Sequence, residues 1–124
     1  MSIYFIALND VEIVDNMIWI KILLNKLSDV LIGLRALYTK KIEKLILVTF
    51  DKKSKVVFYF DKIMCVSSNQ TDYIFQLNNH NVESLESIII DFLLQIAFPD
   101  QHLDIELMLL EKNYKYDCVF EIQE

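Results

Sequence analysis

Glycine and proline are nearly missing from this 124-residue chain, with one of each (Gly33 and Pro99) beside a single Trp, a single Arg, two His and two Cys. Phosphate-cradling loops need several glycines so that backbone amides can approach the ligand, so one glycine excludes the Walker and dinucleotide-binding patterns. No Pro-, Gly- or Ser-rich tract marks a linker, and no repeat period is present. His80, in Asn78-Asn79-His80-Asn81 before a helix, and His102, after Pro99, lack zinc-ligand spacing and read as exposed turn and loop residues. Cys65 and Cys118 sit in apolar runs without C-x-x-C spacing, which predicts buried free thiols suited to a reducing compartment. There is no G-x-S-x-G elbow, and Pro99-Asp100 has no downstream acidic-x-Lys to complete a nuclease-type site. Catalytic, metal-binding and cofactor-binding sets are therefore not expected, and the chain is read as a non-enzyme.

Basic character is also scarce. With one arginine and an isoelectric point near 4.8, the chain lacks the profile of a nucleic-acid binder. Lys40, Lys41, Lys44 and the run Lys52-Lys53-Ser54-Lys55 read as solvated loop and helix-end lysines. Long uninterrupted apolar runs are missing too. The longest candidate, Met17 to Tyr38, carries Lys21, Asn25, Lys26, Asp29 and Arg35, each of which costs up to several kcal/mol to bury in a bilayer. The first residues have no basic leader and read as a strand, so no membrane contact is expected and the cytoplasm is the expected location.

What is abundant is apolar surface: 54% of residues are hydrophobic, against about 45–50% in ordinary soluble domains, and eight Phe, six Tyr and one Trp argue against disorder. The length suits one domain, residues 1–124. Ile20, Leu23, Leu24, Leu27, Leu31, Leu34 and Tyr38 recur at helical spacing and predict an amphipathic helix from about Asn16 to Tyr38, capped by Asp15 or Asn16. Val82, Leu85, Ile88, Ile89, Phe92, Leu93 and Ile96 predict a second, with Asn81 as cap, Glu83 and Glu86 favouring its N-terminal dipole, and an end near Ala97 imposed by Pro99. Leu45–Phe50 and Val56–Phe60 predict a hairpin, and Ile63–Val66 and Tyr73–Leu77 continue it as a meander. Phe58, Tyr59 and Phe60 cannot all face one side of a strand, so some aromatic surface must be covered by other elements or by another chain. The fold class expected is α+β: a single antiparallel sheet of five to seven strands with the two amphipathic helices packed on it.

Charge is sorted along the chain. Residues 1–80 carry ten Lys/Arg against eight Asp/Glu, and residues 81–124 carry two against ten, so +2 is followed by −8. Much of that charge falls in a strictly alternating pair of runs. Leu103, Ile105, Leu107 and Leu109 alternate with Asp104, Glu106 and Met108; Tyr114, Tyr116, Cys118, Phe120 and Ile122 alternate with Lys115, Asp117, Val119 and Glu121. Matching apolar with apolar across the Glu111-Lys112-Asn113 turn requires opposed residue numbers to total 223 or 225. In the first register Glu106 faces Asp117; in the second Asp104 faces Glu121. Either places two carboxylates opposite each other, an arrangement that destabilises a hairpin. Three readings suit it: a solvated edge that discourages aggregation, a bound cation, or a surface kept acidic for Lys and Arg of a partner.

A small acidic chain, rich in Leu and Ile and without catalytic residues, resembles the immunity proteins that bacteria carry against their own nuclease toxins. The resemblance lies in overall character and in the acidic stretch Glu83 to Glu124, not in a shared motif. It implies a non-enzymatic binding protein that docks Asp100, Asp104, Glu106, Asp117 and Glu121 against the basic active-site cleft of a toxin domain. The alternative is an assembly module that forms a homodimer or larger oligomer through apolar strand faces.

Overall fold

Asp15 and Asn16 both adopt the left-handed backbone region, with φ of 52° and 65°. Two such residues in succession make the tight turn whose twist suits a β-hairpin, and Asp and Asn tolerate it better than most side chains. They join β1 (Ser2–Val14) to β2 (Met17–Leu23) as an antiparallel pair. This corrects the helix expected from Asn16: Ile18, Ile20 and Ile22 alternate as buried positions along β2, a 3-10 turn covers Leu24–Lys26, and α1 spans only Leu27–Tyr38. Ile20, Leu23, Leu24 and Leu27 satisfy helical spacing and Ile18, Ile20 and Ile22 satisfy strand spacing. The hairpin turn decides between them.

The computed structural model describes residues 1–60, 72–94, 102–110 and 114–123. The chain continues through β3 (Lys44–Thr49), β4 (Lys55–Phe60), β5 (Asp72–Leu77), α2 (Asn79–Leu93), β6 (His102–Leu109) and β7 (Tyr114–Gln123). Among the described residues the fold is α+β, with two helices on a seven-stranded sheet. The single antiparallel sheet expected is corrected, because the sheet closes into a barrel in the order β1-β2-β7-β6-β5-β4-β3. Pairing is mixed: β1 with β3, β2 with β7 and β4 with β5 are parallel. The meander expected after β4 is therefore corrected too, since β5 lies beside β4 but runs in the same direction. The strand expected at Ile63–Val66, together with Cys65, Pro99 and Asp100, lies outside the described residues.

One side of every strand belongs to a core shared with both helices. Ile18, Ile20 and Ile22 of β2, Leu45 and Leu47 of β3, Phe58 of β4, Phe75 of β5, Leu107 of β6 and Cys118, Phe120 and Ile122 of β7 join Leu27, Val30, Leu34 and Leu37 of α1 and Val82, Leu85, Ile89 and Phe92 of α2. Phe58 sits at its centre, 6.1 Å from Phe75 and 6.2 Å from Phe120 between ring centroids; truncating such a residue to Ala costs about 3–5 kcal/mol. Tyr59 points the other way, into a small outer cluster with Val57 and Ile74. Gly33 is buried where α1 crosses β3: a Cβ there would lie 2.5 Å from Leu45 Cδ1, so a larger residue requires the Leu45 side chain to shift.

α2 begins one turn earlier than its apolar stripe suggests. Asn78 is the cap: its side chain accepts from the Asn81 N–H at 2.8 Å, and the Asn81 side chain accepts from the Asn78 N–H at 3.0 Å. Asn81, expected as the cap, is instead the third helical residue and closes this reciprocal box. His80 lies in the first helical turn rather than before it. Glu83 and Glu86 lie beyond that turn, and Glu86 serves the packing of the helices instead. Buried at 8% exposure, it takes Arg35 Nη2 of α1 at 2.6 Å and ties the two helices together. The helix ends at Leu93, short of the expected Ala97.

Candidate partner interface

The β6–β7 hairpin adopts the 223 register: His102 faces Glu121, Asp104 faces Val119, Glu106 faces Asp117 and Met108 faces Lys115. Of the two like-charge oppositions, the structure thus contains Glu106 with Asp117 and not Asp104 with Glu121. Two bonds show which way this ladder points. The Glu106 carbonyl accepts from Asn81 Nδ2 at 3.4 Å, and the Leu110 N–H donates to the Ile74 carbonyl at 2.9 Å, so even-numbered residues turn their backbone groups away from β7. Glu106 and Asp117 are therefore a non-hydrogen-bonded pair, the kind whose Cα atoms approach to about 4.5 Å and whose side chains stand closest. Lys115 Nζ lies 3.8 Å from Glu106 and relieves part of the repulsion.

Asp104, Glu106, Asp117 and Glu121 share the outer side of the sheet; the first three are exposed and Glu121 is half-buried. Barrel closure enlarges this face. Because β2 lies parallel to β7 and β1 antiparallel to β2, the registers align Asp10, Lys21, Glu121 and His102 in one row across four strands. The next row is Glu12, Trp19, Val119 and Asp104. The half-buried Trp19 thus sits between Glu12 and Val119, with the His102 ring centroid 6.0 Å from its own. The same face carries six carboxylates, Asp10, Glu12, Asp104, Glu106, Asp117 and Glu121. Lys21 and Lys115 are the lysines beside them, so the six carboxylates and two lysines carry four net negative charges.

Lys21 is held within the face rather than offered by it. Its ammonium donates to Glu12 Oε1 at 2.8 Å, and this bond, supported by the fields of Glu12, Glu121 and Asp10, raises its pKa above the ordinary lysine value against the opposing effect of burial. His102, expected in a loop, is the first residue of β6, and its Nε2 lies 3.6 Å from Asp104 Oδ1. Gln123 Nε2 donates to Glu121 Oε1 at 3.4 Å, and Asn9 Nδ2 donates to Gln123 Oε1. Asp10, Glu12 and Trp19 are not legible as site residues while Trp19 is placed in a helix. The signal lies in Met17-Ile18-Trp19-Ile20-Lys21-Ile22, where the aromatic and the charge share the strand phase opposite to the isoleucines.

Other regions have less chemistry to offer. Among the described residues, no group of three or more His, Cys, Asp or Glu is placed to hold a metal ion, and no helix is long and apolar enough to cross a membrane. The space between the helices and β2, β3, β4 and β7 is lined by apolar side chains alone, among them Ile22, Leu34, Phe58 and Ile89. Cys118 is a buried free thiol whose pKa is pushed up to about 12, first by burial and then by the Asp117 charge, so it is not a nucleophile near neutrality. A shallow groove along α2 holds His80, Ser84 and Asp91, but no hydrogen bond joins them as a catalytic set would require. No family model, curated protein or solved structure matches this chain.

Proposed function

We propose that this protein binds and neutralises a basic protein partner in the manner of an immunity protein against a nuclease toxin, acting in the cytoplasm and without catalysis. The observation that carries the reading is the Glu106–Asp117 opposition on a face that six carboxylates share with the single tryptophan. Folding alone favours an opposed Lys at that position, so the fold bears a cost that a cationic partner removes. Carboxylates of this density steer a basic protein and speed its encounter, while a central, half-buried Trp is the kind of anchor that sets dissociation. On such a partner, Lys and Arg lining a nucleic-acid cleft would meet Asp104, Glu106, Asp117 and Glu121, and the nucleic acid would be excluded by occupancy.

The assembly alternative draws on the apolar excess. Its outer strand residues Val57, Tyr59 and Ile74 are already covered within the chain, at 8, 7 and 4% exposure, and among the described residues the apolar strand surface left for a second copy is Tyr4, Ile13 and Val14 of β1. The test compares the wild type with a variant carrying Asp104→Lys, Glu106→Lys, Asp117→Lys and Glu121→Lys, each used to capture proteins from the native host. A basic protein retained by the first and lost by the second, with an association rate that falls about tenfold or more at low salt, is expected. Equal association rates and equal salt dependence would sink the proposal, and recovery of this chain alone, with a dimer mass in light scattering, would favour assembly.

A further inference from the structure

Among the described residues, β6 is fully paired on one side only. Its β7 side is zipped from His102 to Leu109, whereas its β5 side pairs at Leu109 and Met108 alone. The even-numbered residues turn their N–H and C=O groups to that second side, and Asn81 takes only the Glu106 carbonyl there. Among the described residues, His102 and Asp104 have no strand beside them, so the edge from His102 to Glu106, about 13 Å at roughly 3.3 Å per residue, is open but for the Asn81 bond at Glu106. Beside this edge runs a groove of about 370 Å³, bounded by His80, Glu83, Ser84, Ser87 and Asp91 of α2 and by Leu103 of β6.

Open strand edges recruit other strands, and proteins ordinarily cover or blunt them. Here α2 lies along one side of the approach, and the shallow groove between it and β6 suits one thin extended chain. Charge selects the chain. Glu83 and Asp91 stand on the helix side and Asp104 and Glu106 on the outer side of β6, with Lys115 near Glu106 offsetting one of the four.

We propose that an extended, lysine- and arginine-bearing segment of the partner adds to the His102–Glu106 edge of β6 as a further strand, its alternate side chains reaching the helix carboxylates and the outer-face carboxylates. This rests on the acidic-face reading and names the part of the partner that engages it. Backbone bonds to His102 and Asp104 supply sequence-independent affinity, and the two carboxylate rows supply the preference for basic residues.

The probe is the heptapeptide Lys-Val-Arg-Val-Lys-Val-Arg, used unmodified and in two forms N-methylated on complementary alternate residues. On binding, the amides of His102 and Asp104 should exchange at least about tenfold more slowly, and one N-methylated form should bind about tenfold more weakly while the other binds as the parent does. Ser87→Trp, which places a large side chain in the groove from an exposed position, should weaken binding to a similar degree. Equal binding of both N-methylated forms with unchanged exchange at His102 and Asp104 overturns strand addition, as does failure of the peptide to bind at low salt. If that equal binding is still abolished by Asp104→Lys with Glu106→Lys, the acidic-face reading stands while strand addition falls. If binding and protection survive the charge reversals unchanged, the acidic-face reading falls instead.

Discussion

Asp117→Lys should stabilise the fold while weakening partner association, two effects that a merely structural surface would not oppose. Asp117 faces Glu106 across a non-hydrogen-bonded position, so the substitution removes a repulsion and adds an attraction. Cross-strand charge pairs contribute roughly 0.2–1 kcal/mol each, and replacing repulsion by attraction counts twice. Lys115 already shares the field of Glu106 at 3.8 Å, and the side chains of both are more than half exposed, at 61% and 57%, which confines the gain to about 0.5–1 kcal/mol. The corresponding rise in melting temperature is about 2–5 °C for a domain of this size. Urea unfolding should show a higher midpoint with an unchanged slope, and the difference should shrink in 1 M salt, where screening acts within about 3 Å. Asp117→Asn separates charge from strand propensity, and a double-mutant cycle with Glu106→Gln isolates the pair. A coupling energy of zero, or one that favours the native Asp, would refute the claim that this opposition is held against the interests of folding.

Three further outcomes are expected. Trp19→Ala should leave the far-ultraviolet spectrum intact but speed dissociation of the partner by about 30-fold or more, as central Trp anchors do, whereas the native Trp19 emission should shift on complex formation; a partner that leaves that emission unchanged does not cover this face. Because the pKa of Lys21 is raised, its contribution to stability is fully present below its ordinary value of 10.5 and is lost as pH rises through the folded pKa. Wild type should therefore lose stability in that alkaline window relative to Lys21→Met, and parallel pH profiles would show that the Glu12 bond contributes nothing. Cys118, with its pKa near 12, should resist iodoacetamide at pH 8.5 in the native protein and react on unfolding, read by peptide mass at that residue; rapid native labelling would contradict its burial.

Much of the C-terminal hairpin is legible because its two runs alternate, with Met108 and Val119 as the apolar exceptions on the polar side. Apolar residues matched across the turn leave two registers, and both forecast a pair of opposed carboxylates, one of which the fold contains. α2 is legible in its stripe, although its start is not: four polar residues, Asn78 to Asn81, offer several caps, and only the reciprocal bonds between Asn78 and Asn81 single out the first. β2 is illegible as a strand because leucines and isoleucines crowd Met17 to Tyr38 so densely that both periods fit. Weighting Asp15-Asn16 as a hairpin turn, rather than as a cap, resolves it.

Sequence alone determined that Asp104, Glu106, Asp117 and Glu121 stand on the side of the hairpin opposite its apolar residues, since a period of two is a property of the strand itself. It also determined that the chain carries a large apolar core and lacks glycine-rich phosphate loops. Only the tertiary structure decided that β2 lies against β7, that the sheet closes, and that Trp19, Glu12 and Asp10 join the acidic face. Alternation encodes which side a residue faces but not which strand becomes its neighbour. That choice is made by backbone bonds between segments about a hundred residues apart, such as Trp19 and Val119, and by the closure that leaves most strand edges paired.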